Sequence, residues 1–425
     1  MELLSPSPAQ LILDRPGEFL VHSDVYTSAA IFELEMRRIF EASWVYVAHE
    51  SQIPAAGDFV TTRVGTQPVI VSRDATGEVH VLLNRCRHRA SIVCRLPAGR
   101  AQQFVCPYHS WTYGCDGALL NMAQKDGYAP DLDRGTLALH RASAVAIYRG
   151  LIFTRLTGNG ESLDERLGDA RRYLDLWAER SPLGRISVTR AAHRLTYAGN
   201  WKYQMENGVD GYHGNYVHSS FIRIADRAGE RKAATFATVR DSGAAIGLSH
   251  GDGLIERPYG GMAGQFDYAG ARHGEYHRAL GEAYGQARAQ EILTQRNLLL
   301  FPNLFLFESH IRMIQPVSVS ETIVTMLPTL LEGVPPAMNL ARLRSHERFF
   351  GPAGFGTPDD VEMFVNCENG MRGRAVQWVR LDRGLHREET RNGDSVGHST
   401  DETPQRAAYR QWRVLMGDGG PEART

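Results

Sequence analysis

Cys86-Arg87-His88 and, after seventeen intervening residues, Cys106-Pro107-Tyr108-His109 are two short stretches that each place a thiol beside an imidazole. Both side chains are good ligands for transition metals, and two such loops can converge on one centre. Two chemistries fit. A tetrahedral zinc ion takes two thiolates and two imidazoles, commonly with like paired to like. A two-iron, two-sulfide cluster with both cysteines on one iron and both histidines on the other needs a mixed pair from each loop, because each loop then reaches both irons. The mixed pairs favour the cluster. Ordinary buried Cys and His residues would not repeat the pair in register and follow it with Ser110-Trp111 and Gly114.

A second group has different chemistry. Asp210, His213 and His218 bring two imidazoles and a carboxylate within nine residues. Two histidines and one carboxylate on one face of Fe(II) leave positions open for dioxygen and substrate. The five-residue spacing does not suit a straight helix, so the helix is expected to bulge or end near Gly214. Taken alone, such a pair is more often an ordinary surface or core pair. Asp210 as a further ligand would close the site; hydrogen bonding to a ligating His, which fixes the ring and raises its basicity, suits it better. A carboxylate ligand distant in sequence is available at Asp359-Asp360. There Thr357 reads as an N-cap with Pro358 at the first helical position, and the plain structural role for Asp360 is to reach back to that cap.

Cys86-x-His88-Arg89 and Cys106-Pro107-Tyr108-His109-Ser110-Trp111 resemble the cluster motif of the large subunits of Rieske-type aromatic ring-hydroxylating oxygenases. Asn207-x-x-Asp210-x-x-His213-x4-His218 resembles the iron-binding motif of the same family. Ala90 stands where the family usually has Gly, and Gly214-Asn215 inside the His spacing is a second departure. Ser91 and Tyr108 occupy the positions where respiratory Rieske proteins carry disulfide cysteines, which favours the oxygenase or ferredoxin type. The resemblance implies a [2Fe–2S] Rieske cluster on Cys86, His88, Cys106 and His109. It implies a mononuclear Fe(II) on His213, His218 and Asp360, with Asp360 preferred to Asp359. It also implies that Asp210 bridges His213 to His109 of the partner subunit, so that electrons cross an interface within a homotrimer or an α3β3 assembly with a small subunit. An NADH-dependent reductase, with or without a ferredoxin, would supply those electrons, and O2 and an aromatic molecule would be the substrates.

Arg312 falls where terephthalate-type members of the family place an arginine that holds a substrate carboxylate, and a guanidinium suits bidentate capture. Asn207, the first residue of the iron motif, is assigned with Arg312 to the substrate; Arg406 is a weaker candidate. His22-Ser23-Asp24-Val25-Tyr26 and the Gly351 region look most like the benzoate, salicylate and terephthalate branch. Alternation along Leu304 to Gln315 puts Phe305 and Phe307 on one strand face and Glu308, His310 and Arg312 on the other, and such a charged trio usually faces solvent. An oxygenase of uncharged polycyclic aromatics, a monohydroxylase of a phenolic acid and a Rieske electron carrier remain alternatives. So does a structural zinc protein.

The elements that must position these groups are legible in texture. With 425 residues the chain is expected to hold more than one core. Gly57 to Phe153 reads as short β-runs separated by turns such as Asp74 to Gly77 and Asp116-Gly117. Beyond it lie a helix near Leu163 to Glu179, strands near Ile186 to Tyr197 and Leu298 to Val319, and helices near Gly274 to Leu293 and Met338 to Phe350. Arg391 to Thr403 reads as a loop before a last helix from Gln405 to Met416. Ser28 to Trp44 reads as an amphipathic helix. The expected class is α+β: a small antiparallel β Rieske domain (46–160) after an N-terminal helical segment (1–45), then a larger catalytic domain (161–425) with a central antiparallel sheet flanked by helices. Apolar residues make up 43% and charged residues 22%, as in a folded soluble protein, and 47 basic against 48 acidic residues give no global field for nucleic acid or membrane. No long apolar run or leader-like start is evident, and the five cysteines are too few and clustered for a disulfide framework, so a cytoplasmic location is expected.

Overall fold

A computed structural model describes residues 7–189, 191–227, 243–257 and 273–417. The chain forms two compact units, Phe40–Leu163 and Met1–Ile39 with Asp164–Thr425.

The smaller unit is built of antiparallel sheets. Val79–Leu83, Gln67–Arg73, Asp58–Val64 and Ala98–Arg100 form one, in that order, and Leu119–Asn121, Thr112–Gly114 and Gln103–Val105 form a second. A third joins Ala144–Tyr148, Leu151–Arg155 and Val45–His49. Val and Ile alternate along the longer runs as expected, and Asp74 ties the tight turn by accepting from the backbone N–H groups of Thr76 and Glu78. Phe59, Ile70, Leu82, Phe104, Trp111 and Tyr113 make the core together with Cys86 and Cys106. The cysteines are therefore part of the packing.

The larger unit is organised by a ten-stranded antiparallel sheet. Its middle runs Glu321–Leu331, His310–Ser318, Leu304–Leu306, Gln295–Leu300, Gly253–Arg257, Ala244–Gly247. Helices Trp201–Gly208, Thr357–Gly370 and Thr403–Met416 supply residues to the site or close its surroundings. The N-terminal segment is anchored by Glu35, fully buried, which accepts from Lys202 Nζ, Trp201 Nε1 and Trp412 Nε1 at 2.6, 2.9 and 2.7 Å. Three donors on one buried carboxylate satisfy its charge.

Several expected elements are broken, with physical causes. The Ser28-capped helix is Ala29–Glu35 and continues as a wider π turn to Glu41. Gly168 (φ +42°) divides the Leu163 helix and Gly285 (φ +82°) divides the Gly274 helix. The Ile186 region is two strands, Ile186–Val188 and His193–Tyr197, with Arg190 outside the described residues. Leu298 to Val319 is covered by three strands, because the chain turns at Phe301 to Asn303 and again where Phe307 N–H donates to the His310 carbonyl. That turn inverts the expected alternation: Phe305 pairs with Arg312 and shares its face, and Glu308, His310 and Arg312 are all buried. Arg391 to Thr403 is not a loop; Glu389–Arg391 and Asp394–His398 form a hairpin that joins the sheet beside Ala244–Gly247. Among the described residues no helix is long and apolar enough to cross a membrane.

Candidate active site

The two Cys/His loops have the same local build. Cys86 N–H donates to the Ser91 carbonyl and Ala90 N–H to that of Cys86; Cys106 N–H donates to Trp111 and Ser110 N–H to Cys106. Ala90 and Ser110 both sit in the left-handed region, at φ +58° and +56°. This explains why Gly would be at ease at position 90; Ala pays a modest strain there. Both cysteines are buried, while the His88 and His109 rings lie at the surface end of the loops, 4.5 Å apart between centroids. Trp111 stacks on His88 at 5.2 Å. Tyr113 Oη lies 3.2 Å from Cys86 Sγ and accepts the Arg87 N–H at 3.1 Å. The Nδ1 atoms of both histidines are buried without a hydrogen-bond partner.

Those orphaned atoms fit a bound group. A single ion does not fit: among the described residues, only His213, His218, Asp360 and, elsewhere, Asp74, Glu78, His80 bring three or more ligand atoms within 4.8 Å of one another. The four loop residues are spread more widely, as a two-iron cluster requires and a tetrahedral zinc ion does not.

The second centre is assembled from three places in the chain. His213 and His218 flank the one-turn helix Gly214–Val217; the preceding helix already ends at Gly208 and the next starts at Ser219, so the chain breaks on both sides of this turn and a helix begins, not ends, at Gly214. Asp360 lies in the first turn of Thr357–Gly370. Thr357 is not the cap: Gly356 precedes the helix, Thr357 Oγ1 donates to the Phe350 carbonyl, and Asp360 is thereby free of the capping role. Asp360 Oδ1 stands 3.5 Å from His213 Nε2 and 3.3 Å from His218 Nε2. Burial raises the Asp360 pKa, but His218, His213 and Arg312 outweigh it and the carboxyl is held below its ordinary value. Asp359 is one-third exposed and lies 3.6 Å from His218 Nδ1, on the far side of that ring.

Asp210 turns back on its own loop. Its Oδ1 accepts from the Tyr212 and His213 N–H groups, and its Oδ2 is 3.2 Å from His213 Nδ1, close but poorly aligned with the ring N–H. Burial opposes charge on both partners; their mutual attraction prevails, so Asp210 is lowered and His213 raised. Asn207 Nδ2 donates to Asp360 Oδ1 at 3.2 Å and lies 3.3 Å from His213 Nε2. Gly208 admits the Phe305 ring, which a Cβ would meet at 2.7 Å.

These residues line a cleft of about 830 Å³, mouth included, walled by Phe305, Phe307, Phe349 and Phe350. Arg312 opens into it. Its Nε donates to His310 Nε2 at 2.9 Å, and its guanidinium lies 5.3 and 5.1 Å from the Phe305 and Phe350 ring centres. Burial lowers its pKa to about 10, so it stays a cation. His310 is pushed well below its ordinary value by burial, then by Arg312 and His346. A neutral ring accepting at Nε2 carries its proton on Nδ1, facing Ser309 Oγ at 3.2 Å. Arg406 does not reach the cleft. It is buried against Glu388, the Leu381 and Arg383 carbonyls and Thr403, a structural role.

The domain models of known families divide the chain as its chemistry does. Residues 43–135 match the Rieske [2Fe-2S] domain, and residues 185–417 match the ring-hydroxylating alpha subunit catalytic domain. The chain belongs to the ring-hydroxylating alpha-subunit family. It is 34% identical to the anthranilate 1,2-dioxygenase large subunit of Acinetobacter baylyi, over 95% of this chain and 90% of that one. It is equally similar, at 34%, to the 2-halobenzoate 1,2-dioxygenase large subunit of Burkholderia cepacia, over 87% and 80%. The fold superposes on naphthalene 1,2-dioxygenase from Rhodococcus sp. bound to indole with a TM-score of 0.79 and 26% identity, covering 93% and 94% of the two chains. This ring-hydroxylating alpha subunit is thus the large subunit of a Rieske-type aromatic ring-hydroxylating dioxygenase, with a [2Fe–2S] cluster and a mononuclear iron as its cofactors. A further relative, 30% identical over 83% of this chain and 80% of that one, is the large oxygenase component of the naphthalene 1,2-dioxygenase system of Pseudomonas putida.

Arg257, Gln295 and Asn297 also line the cleft and were not singled out by sequence reasoning. The missing signal was pairing register: Arg257 faces Gln295, and Phe305 faces Arg312, across neighbouring strands.

Proposed function

We propose that this dioxygenase hydroxylates the ring of an aromatic acid and that Arg312 holds the substrate's carboxylate. One observation carries the reading: Arg312 is a buried guanidinium on the wall of the cleft that holds the iron triad, and among the described residues no carboxylate lies within salt-bridge distance of it. A buried cation that feels only Asp360 from beyond contact distance is costly, and an incoming carboxylate relieves that cost with paired hydrogen bonds. The same charge would be a liability toward an uncharged polycyclic ring. The relatives named for anthranilate and 2-halobenzoate support the same substrate class.

The roles of the other residues follow from where they sit. Cys86, Cys106, His88 and His109 hold the cluster; His213, His218 and Asp360 hold the iron. When bound, the cluster supplies electrons and the ferrous ion supplies activation of dioxygen. His310 orients Arg312 by accepting its Nε–H, leaving both Nη groups for the substrate. Phe305 and Phe350 confine the ring and exclude water. Asn207 steadies the Asp360 carboxylate beside the substrate. Asp210 fixes His213 and pairs with His109 of the partner subunit in a homotrimer, or in an α3β3 assembly with a small subunit. An NADH-dependent reductase, with or without a ferredoxin, feeds this cytoplasmic enzyme.

The test is the apparent KM of Arg312→Gln for benzoates against neutral analogues such as benzamides. An increase of about tenfold or more for the acids, with little change for the amides, is expected for loss of a charge-assisted bidentate contact. Equal effects on both series would overturn the assignment.

A further inference from the structure

The cleft has a second polar end. Arg257, at the end of the Gly253–Arg257 strand, pairs with Gln295 on Gln295–Leu300, and Asn297 follows Gln295 on the same face. All three line the cleft. Gln295 is only 1% exposed, yet neither its Oε1 nor its Nε2 has a hydrogen-bond partner; Asn297 Oδ1 is also unpartnered, while its Nδ2 donates to the Gly208 carbonyl at 3.4 Å. Arg257 is partly buried, and desolvation pushes its pKa down to about 10, so it remains a cation. Among the described residues it has no ion pair; Asp210 acts on it only at longer range. A buried glutamine with both amide atoms unsatisfied, beside a guanidinium without an ion pair among the described residues and facing the same cavity, is rare in a folded protein and calls for a ligand.

This end is distinct from the Arg312 end. Gln295 lies four residues along its strand from Leu299, which pairs with Phe305, which pairs with Arg312. At ordinary strand rise and spacing, roughly 15–20 Å of sheet separates the backbones of Arg257 and Arg312. The two long side chains therefore enter the cleft from opposite ends, with Phe305 between them.

We propose that Arg257 and Gln295 form a second anion subsite, and that the preferred substrate is an aromatic acid bearing a second anionic substituent, a carboxylate or sulfonate, across the ring from the first. The second group accepts from the Arg257 guanidinium and from the free Gln295 Nε2 while the first lies on Arg312. This rests on the Arg312 reading above, and the test separates the two.

Binding is measured anaerobically by calorimetry on the cofactor-loaded oxygenase, with benzoate, benzene-1,4-dicarboxylate, 4-sulfobenzoate and 4-hydroxybenzoate. The wild-type protein should bind a dianion at least tenfold tighter than benzoate, and Arg257→Gln should lower that ratio at least tenfold, with Arg257→Lys restoring part of it. An unchanged ratio in Arg257→Gln, whether both ligands weaken equally or neither does, overturns the second subsite. So does 4-hydroxybenzoate binding as tightly as the dicarboxylate. Arg312→Gln reads the first site by itself: undiminished benzoate affinity there overturns the Arg312 assignment and this proposal with it, whereas lost benzoate affinity with an unchanged Arg257→Gln ratio removes the second subsite alone. Three irons per chain in each variant, the cluster pair plus the mononuclear iron, show that both units have folded.

Discussion

Asp360 Oδ1 lies 3.3 Å from Nε2 of His218, although most strands of the central sheet separate the two in sequence. The contact depends on a helix that starts at Thr357 and directs its first-turn carboxylate inward, while Asp359, next to it, turns toward the outer nitrogen of His218.

Asp360→Ala should therefore lose the mononuclear iron and keep the cluster. Metal analysis should fall from three irons per chain to two with the visible spectrum unchanged, and ring hydroxylation should stop. Asp359→Ala should retain all three irons. Full iron content in Asp360→Ala would remove it from the ligand set.

Asp210→Ala tests a positioning role. Asp210 touches His213 Nδ1, and its other oxygen is committed to two backbone N–H groups, so the loop holds it in place. Loss of a partner behind a ligating histidine commonly costs about 10–100-fold, and a role in carrying electrons between subunits would raise the cost further. The expected variant reduces its cluster normally, shows an intact cluster spectrum and makes almost no product. Normal turnover would sink the proposed route.

Tyr113→Phe should lower the cluster's reduction potential. The Arg87 N–H already occupies a lone pair of Tyr113 Oη, which leaves the phenol proton to Cys86 Sγ. A donor to a ligand sulfur stabilises the more electron-rich, reduced state, so removing it makes reduction harder. At 59 mV per 1.36 kcal/mol for one electron, loss of about 1 kcal/mol predicts a drop of tens of millivolts, readable by spectroelectrochemical titration. A rise, or no change, would place the phenol proton elsewhere.

What the sequence disclosed and what it hid divide along a physical line. Cys86-x-His88 and Cys106-x-x-His109 were legible because each mixed pair sits on one short loop, where spacing alone limits the geometry. The alternation of Asp58–Val64 and Gln67–Arg73 and the closing helix Thr403–Met416 were legible from local periodicity. The substrate end was hidden. Whether Arg312 shares a face with Phe305 depends on a turn at Phe307 that no alternation pattern reveals, and Arg257 meets Gln295 only through strand pairing. The hairpin Glu389–Arg391 and Asp394–His398 was read as a loop because its run of polar and glycine residues lacks an apolar period; its place in the sheet comes from pairing with Ala244–Gly247. Long-range register, not composition, built that end of the cleft.

Glu402 gives a prediction in pH. Its Oε2 accepts the Arg383 N–H at 2.9 Å, but burial, with Asp210 and Glu206 adding to it, outweighs that contact and Arg406 and pushes its pKa up to about 7. An unfolded chain ionises the same carboxyl at its ordinary value. Below that value the group is neutral in both states and costs nothing. As pH rises toward 7 the unfolded chain ionises first, so folding stability is lost across that window and then levels off. The loss is at most about 3 kcal/mol by linkage. Glu402→Gln keeps an acceptor for the Arg383 N–H and removes the titration. It should match the wild-type protein in urea unfolding at pH 4 and exceed it by about 2–3 kcal/mol at pH 8. The same increment at both pH values would show that Glu402 does not titrate in this window.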